Sequence, residues 1–257
     1  MARRVPEGPP PPPTVQRVRL RYAKRGRLRF TSHRDFARAF ERALRRAEVP
    51  MAYSAGFTPH PKVSYVGAAP TGVASEAEYL EIGLASQVDV EALRRALDAA
   101  LPDGLDIVSA VDAAVAGPGS LAERIQASHW QLELAGVDTA AAQQAVEALL
   151  AEAEVTVERL TKDGRKSLDV RGPIVSAAVS PSQETTPGEQ HAILDLVVRQ
   201  ATPTVRPDDV LSALRAVAGL ALDVPPRVVR LAQGPLDEAG RVGDPLIADG
   251  TPMETAP

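Results

Sequence analysis

The densest run of chemistry-bearing side chains is Tyr53-Ser54-Ala55-Gly56-Phe57-Thr58-Pro59-His60-Pro61-Lys62. Gly56 permits a positive φ, while Pro59 and Pro61 stiffen the segment and bias Thr58 and His60 toward extended backbone. A stiff loop is suited to holding Tyr53, Ser54, His60 and Lys62 in fixed positions. A second histidine, His33, opens the helix signal in Thr31-Ser32-His33-Arg34-Asp35. Histidine, tyrosine and lysine together are the inventory of metal-independent RNA cleavage: general base, general acid and charge stabiliser. His33, His60 and Tyr53 are therefore the candidate catalytic groups. His33, Arg34, His60 and Lys62 equally make an anion-binding set at a helix N-terminus. The spacing does not choose between these readings, and a structural loop crossing a sheet edge uses the same residues.

Other polar clusters follow. On a strand, Glu76 and Glu78 share one face and Tyr79 and Glu81 share the other. No His-x-His or His-x3-His spacing accompanies them, so salt bridges to arginine are expected there and a metal site is not. In the second half, Lys166, Asp169 and Arg171 are the comparable set, either a binding cluster or an exposed hairpin strand with an Asp–Arg pair. His129 and His191 begin strands and read as structural.

These residues need elements to position them. Arg17, Arg19 and Arg21 alternate with Val18, Leu20 and Tyr22, the period of a half-buried strand. Ser32 with Asp35 is a capping-box signature for a helix over 33–48. That helix carries Phe36, Phe40 and Leu44 on one face and Arg34, Arg38, Arg42 and Arg45 on the other, and Pro50 stops it. Strands at 62–68 and 78–84, a helix at 89–100 and a strand at 105–111 complete the order βαββαβ. The pattern recurs: strand 129–135, helix 138–153, strands 154–161 and 166–171, strand 191–199, helix 207–218 and strand 226–232. The expectation is an α+β chain of two tandem ferredoxin-like units with antiparallel sheets, over 15–115 and 120–232. A proline-rich tail at 1–14 and an acidic tail at 233–257 are expected to be disordered.

Charge singles out the first unit. Residues 14–50 hold 12 basic and three acidic residues, a net of +9, so the rest of this −4 chain carries −13. Such a block attracts polyanions, although 25 arginines against four lysines suggest that a high-GC genome contributes to the count. RNA or an RNA–protein particle is the expected partner, with Arg17, Arg19, Arg21, Arg34, Arg38 and Arg42 as its contacts. The chain has no cysteine, hence no disulfide, thiolate metal site or iron–sulfur cluster of its own. It has no Walker A loop, GxGxxG or GxSxG, so no cofactor is expected. No apolar run approaches the ~20 residues that span a bilayer, and no apolar stretch follows Arg3 and Arg4 as in a signal peptide. A cytoplasmic protein without membrane contact is expected.

Several blocks in order resemble a known family. The strand Arg17–Tyr22, the run Phe30–Asp35 with Ala39–Ala47, Ala52–Lys62, Pro70–Gly72, Glu76–Ile82 and Lys166–Arg171 are similar to the radical-SAM-linked bacterial proteins of unknown function, over about 17–230. Lacking a CxxxCxxC run, the chain resembles the stand-alone form. The resemblance implies an accessory or substrate-presenting role beside a radical SAM protein, and supplies no catalytic residue. Three functions follow as expectations: an accessory RNA-binding protein that is not itself an enzyme, an acid–base enzyme or RNase, and an adaptor for an acidic protein partner.

Overall fold

The computed structural model describes residues 12–55, 57–117, 119–161, 164–182 and 191–247. The tails at 1–11 and 248–257 lie outside them. The fold is α+β, with four α-helices among the described residues. The chain divides into two compact units: residues to Arg124 together with the segment from Pro245, and Ile125–Asp244.

In the first unit β1 (Gln16–Lys24), α1 (His33–Arg46), β2 (Val63–Val66), β3 (Ala74–Leu84), α2 (Val90–Ala100) and β4 (Ile107–Asp112) follow in order. The strands lie in the order β4-β1-β3-β2, and each neighbouring pair is antiparallel. Period-two alternation gives β1 and β3 one apolar face: Val18, Leu20, Tyr22, Leu80, Ile82 and Leu84. Phe36, Phe40 and Leu44 of α1 and Leu93 and Leu97 of α2 close over it. The Tyr22 and Phe36 rings stack with centroids 4.0 Å apart. Each such side chain, buried fully, contributes about 1.5–3 kcal/mol. Ser32 caps α1, its Oγ accepting from the Asp35 amide at 3.2 Å.

The second unit contains β5 (Ala127–Ala135), α3 (Thr139–Ala151), β6 (Thr156–Thr161), β7 (Gly164–Asp169), β8 (Ile174–Pro181), β9 (His191–Arg199), α4 (Pro207–Ala218) and β10 (Arg227–Gly234). Its main strands lie in the order β10-β5-β9-β8, again antiparallel. The hairpin β6–β7 forms a separate two-stranded sheet. β8 departs from the sequence expectation, which placed no strand at 174–181. Ala and Ser dominate it between Pro173 and Pro181, and as an edge strand it needs only one ladder of partners.

The tail expected from 233 is a second correction. β10 runs to Gly234, Leu236 bridges to Val242, and Leu246 is buried. Arg124, itself buried, donates from Nε to the Pro245 carbonyl at 2.8 Å and from Nη2 to that of Ile247 at 2.6 Å. Backbone carbonyls and a buried guanidinium hold this segment, so no apolar period announces it. No helix among the described residues is long and apolar enough to cross a membrane.

Candidate functional site

The motif from Tyr53 to Lys62 is a narrow hairpin leading into β2. Tyr53 bridges to Pro61, the Ser54 amide donates to the His60 carbonyl at 2.9 Å, and the His60 amide donates to Ser54 Oγ at 3.0 Å. Its base is pinned to β3, with Ala52 N–H donating to the Gly83 carbonyl and Gly83 N–H to that of Lys62. Lys62 Nζ reaches Thr14 Oγ1 at 2.9 Å. Tyr53, Phe57 and His60 are exposed, while Gly56 lies outside the described residues. The prolines thus serve a projecting hairpin rather than a walled pocket.

His33 belongs to a different cluster. It opens α1 and meets the Tyr65 ring edge-on, with centroids 4.8 Å apart; Tyr65 also packs edge-on against Phe36. Burial, with Glu41 nearby, raises the Tyr65 hydroxyl above the ordinary tyrosine range. Beside this cluster Gly72 N–H donates to the Arg29 carbonyl at 2.8 Å, and Gly72, at φ 93°, lies against the Phe30 ring where a side chain would be strained. Buried Lys24 donates to the Pro70 carbonyl at 3.1 Å, and buried Glu78 accepts from the Ala69 amide at 3.0 Å. The base of the His60 hairpin, by contrast, lies where Met51 bridges Leu84, beyond the end of α1. The 14 residues of α1 span about 21 Å. His33 thus packs with Tyr65, while Tyr53, Ser54 and His60 join one another within the hairpin, and no contact links the two groups among the described residues. Tyr65 and Glu41 could not be grouped with His33 from the sequence, because the Tyr65–His33 ring contact and the influence of Glu41 on Tyr65 join residues far apart in the chain.

The arginines divide sharply. Arg19 is 4% exposed, its Nε donating to Glu81 Oε2 at 3.0 Å and its Nη2 to the Gly119 carbonyl at 2.7 Å. Glu81 also pairs with Arg17 at 3.6 Å, and Arg21 Nε donates to the Glu76 carbonyl at 2.7 Å. Arg17 is well exposed, but the expected basic strand face is otherwise engaged inside the unit. β1 and β3 place Arg19 directly opposite Glu81, so the acid that alternation left unassigned neutralises it. Along α1, Arg34, Arg38, Arg42 and Arg45 are all exposed. Arg38 approaches Asp35 at 3.8 Å, while Arg34, Arg42 and Arg45 have no ion-pair partner among the described residues.

In the second unit Asp169 and Arg171 show no side-chain ion pair with each other. Asp169 Oδ1 accepts from the Val155 and Arg171 amides at 3.2 and 2.9 Å, and Oδ2 from Gly172 at 2.9 Å. Arg171 Nε donates to the Leu150 carbonyl at 3.2 Å. Both shape the turn after β7, leaving Lys166 as the exposed member of the set. A Cβ on Gly172 would lie 2.5 Å from Asp169 Oδ2, so the carboxylate and this glycine are matched. Asp169→Ala strands three amides and is expected to cost about 2 kcal/mol, read as a lower urea midpoint with an unchanged slope. His129 and His191, expected to be structural, each meet a carboxylate, Asp195 at 3.3 Å and Glu133 at 3.2 Å. Among the described residues no group of three or more His, Asp or Glu could hold a metal ion.

No curated protein matches the chain. Among solved structures, an unknown protein from Galdieria sulphuraria is similar at 14% identity over 82% of this chain and 98% of that one, with a TM-score of 0.25. That likeness is too slight to carry an argument. A family match is far more extensive and takes in the α1 arginines, the His60 hairpin and the β7 turn. Over residues 17–207 the chain matches the family described as "Uncharacterized protein conserved in bacteria (DUF2344)", and it belongs to that family.

Proposed function

We propose that the protein is an accessory RNA-binding protein whose contact surface is the arginine face of α1. The observation that carries this reading is the run of exposed Arg34, Arg38, Arg42 and Arg45, three of them without an ion-pair partner among the described residues. Residues spaced three and four apart line one side of a helix, so these guanidiniums form a stripe matched to a phosphate backbone. Strand orders β4-β1-β3-β2 and β10-β5-β9-β8 support a ferredoxin-like reading of both units. The resemblance of the ordered blocks to the radical-SAM-linked family motivates a place beside a radical SAM enzyme. The separation of His33 from His60 favours binding over catalysis.

Fluorescence anisotropy with a labelled single-stranded RNA across a salt series tests this. Each phosphate contact adds about 0.7 to the slope of log affinity against log salt. Arg34→Gln/Arg38→Gln/Arg42→Gln is expected to lower the slope by about 2 and the affinity at low salt at least about tenfold. Binding that ignores salt, or a triple variant that binds as the parent does, overturns the reading. Capture of an acidic protein in place of RNA would move the same stripe to an adaptor role.

A further inference from the structure

The sheet of the second unit has a polar face that the proposed RNA contact does not use. Trp130, Leu132, Leu134, Leu194 and Leu196 are buried toward the core. The alternate positions, His129, Gln131 and Glu133 of β5 and His191, Ile193 and Asp195 of β9, form the opposite face. Arg227 and Val229 of β10 pair with Glu133 and Gln131, and Ser180 of β8 pairs with Ile193, which brings all four strands to one place. There the surface sinks into a cavity of about 460 Å³, lined by Gln131, Glu133, Ser180, Ile193, Arg227 and Val229, with Pro181 and Ser182 at its edge. That volume lies within the usual range for small-molecule sites.

The lining restricts what fits. Glu133 Oε1 is held by His191 Nδ1 at 3.2 Å, which orients the carboxylate. Arg227 Nη1 stands 3.9 Å from Oε2, close enough to balance its charge but beyond hydrogen-bond distance. Oε2 therefore keeps acceptor capacity, and the guanidinium keeps donors for another group. A cation is opposed by Arg227 and an anion by Glu133, so the occupant is neutral overall. Ile193 and Val229 give the floor an apolar surface, which suits a planar ring. The polar groups then require an edge carrying both N–H donors for Glu133 and acceptors for Arg227, with Gln131 able to serve either.

Among the nucleobases guanine carries both: N1–H and the N2 amino group as donors, O6 and N7 as acceptors. Adenine and cytosine carry their N–H donors on a single amino group and uracil has only N3–H, so none of them sets two N–H donors on adjacent positions beside such acceptors. The geometry points to a guanine-base pocket on this sheet face, in which Glu133 accepts from N1–H and N2–H and Arg227 donates to O6 and N7. This rests on the RNA-binding reading and names a base for it, as sheet faces of this topology take single-stranded bases in RNA-recognition modules.

Calorimetric titration of the full chain with free guanosine, adenosine, cytidine and glycine tests the assignment. Chemical shifts of the Ile193 and Val229 methyl groups serve as a second readout. Guanosine is expected to bind at least about tenfold more tightly than adenosine or cytidine, and Glu133→Gln to weaken it at least about tenfold. Arg227 is 63% exposed, so Arg227→Gln should keep its fold by circular dichroism and also weaken guanosine about fivefold or more. No guanosine signal up to its solubility, equal binding of adenosine, or affinity unchanged in both variants overturns the proposal. Glycine binding in place of guanosine also overturns it, assigning the cavity to a zwitterion. Guanosine has no phosphate, so the α1 triple variant should bind it as the parent does. Loss of RNA affinity with guanosine retained, or the reverse, shows which of the two readings failed.

Discussion

Glu81→Ala is expected to destabilise the first unit by about 3 kcal/mol or more. Among the described residues Glu81 carries the only carboxylate bonded to Arg19, a guanidinium 4% exposed whose other contact there is the Gly119 carbonyl and whose Nη1 has no hydrogen-bond partner among them. Removing the acid leaves a buried positive charge facing one neutral oxygen, and a guanidinium cannot discharge by losing its proton at accessible pH. Urea unfolding followed by far-ultraviolet circular dichroism reads the loss as a shift of the first unit's transition. The pair's worth is separated from packing by Arg19→Met, Glu81→Leu and the double variant. The double variant should recover at least about 1 kcal/mol relative to the sum of the singles, because both charges leave together. Strict additivity would show that Arg19 and Glu81 do not depend on each other. The same experiment bears on function. An arginine required for stability in the free protein is not a contact that RNA can claim, so single-strand affinity should follow α1 and not Arg19.

Arg159→Ala should have a comparable effect in the second unit, lowering its melting temperature by roughly 10 °C. Arg159 projects from β6, with Nε donating to Asp209 Oδ1 at 2.9 Å and Nη2 to the Thr204 carbonyl at 2.8 Å; Nη2 also meets Asp209 Oδ2. Asp209 is 5% exposed and sits in the first turn of α4, where its Oδ2 accepts from the Arg206 amide at 2.7 Å. The bidentate fork both neutralises this carboxylate and ties the β6–β7 hairpin to α4. Arg159→Lys keeps the charge and loses the fork, so it should recover only part of the loss. Hydrogen exchange separates the two roles: amides of β6 and β7 should exchange faster in both variants, and those of α4 chiefly in Arg159→Ala. A melting temperature within about 2 °C of the parent would refute the argument.

How far the sequence revealed these features depends on the range of the interaction. Local signals were readable: Ser32 capping α1, the Phe36/Phe40/Leu44 stripe, the alternation of β1, and β9 and α4, found where expected. The α+β class follows from them. β8 was not readable, because an Ala- and Ser-rich edge strand lacks a strong apolar alternation. Nor could the fate of Arg19 be read, since the register that sets Glu81 opposite it spans 62 residues. The candidate site divided for the same reason. Residue types suggested His33, His60, Tyr53 and Lys62 as one set, whereas the fold packs His33 on Tyr65 and ties His60 into the Tyr53–Pro61 hairpin. A signal for the second unit's polar face was present: His129-x-Gln131-x-Glu133 and His191-x-Ile193-x-Asp195 repeat polar residues at alternate positions of apolar strands. Reading both as strand ends hid their shared side.

The return of residues 245–247 to Arg124 bears on how the chain is made. Sequence order nests the whole second unit between the body of the first and the carbonyls of Pro245 and Ile247 that satisfy its last buried guanidinium. A ribosome releases β1 to β4 long before those carbonyls exist, and units ordinarily fold as they emerge. Here the two carbonyls that meet Arg124 are translated after the whole second unit, so these contacts of the first unit form only once the second unit's chain exists.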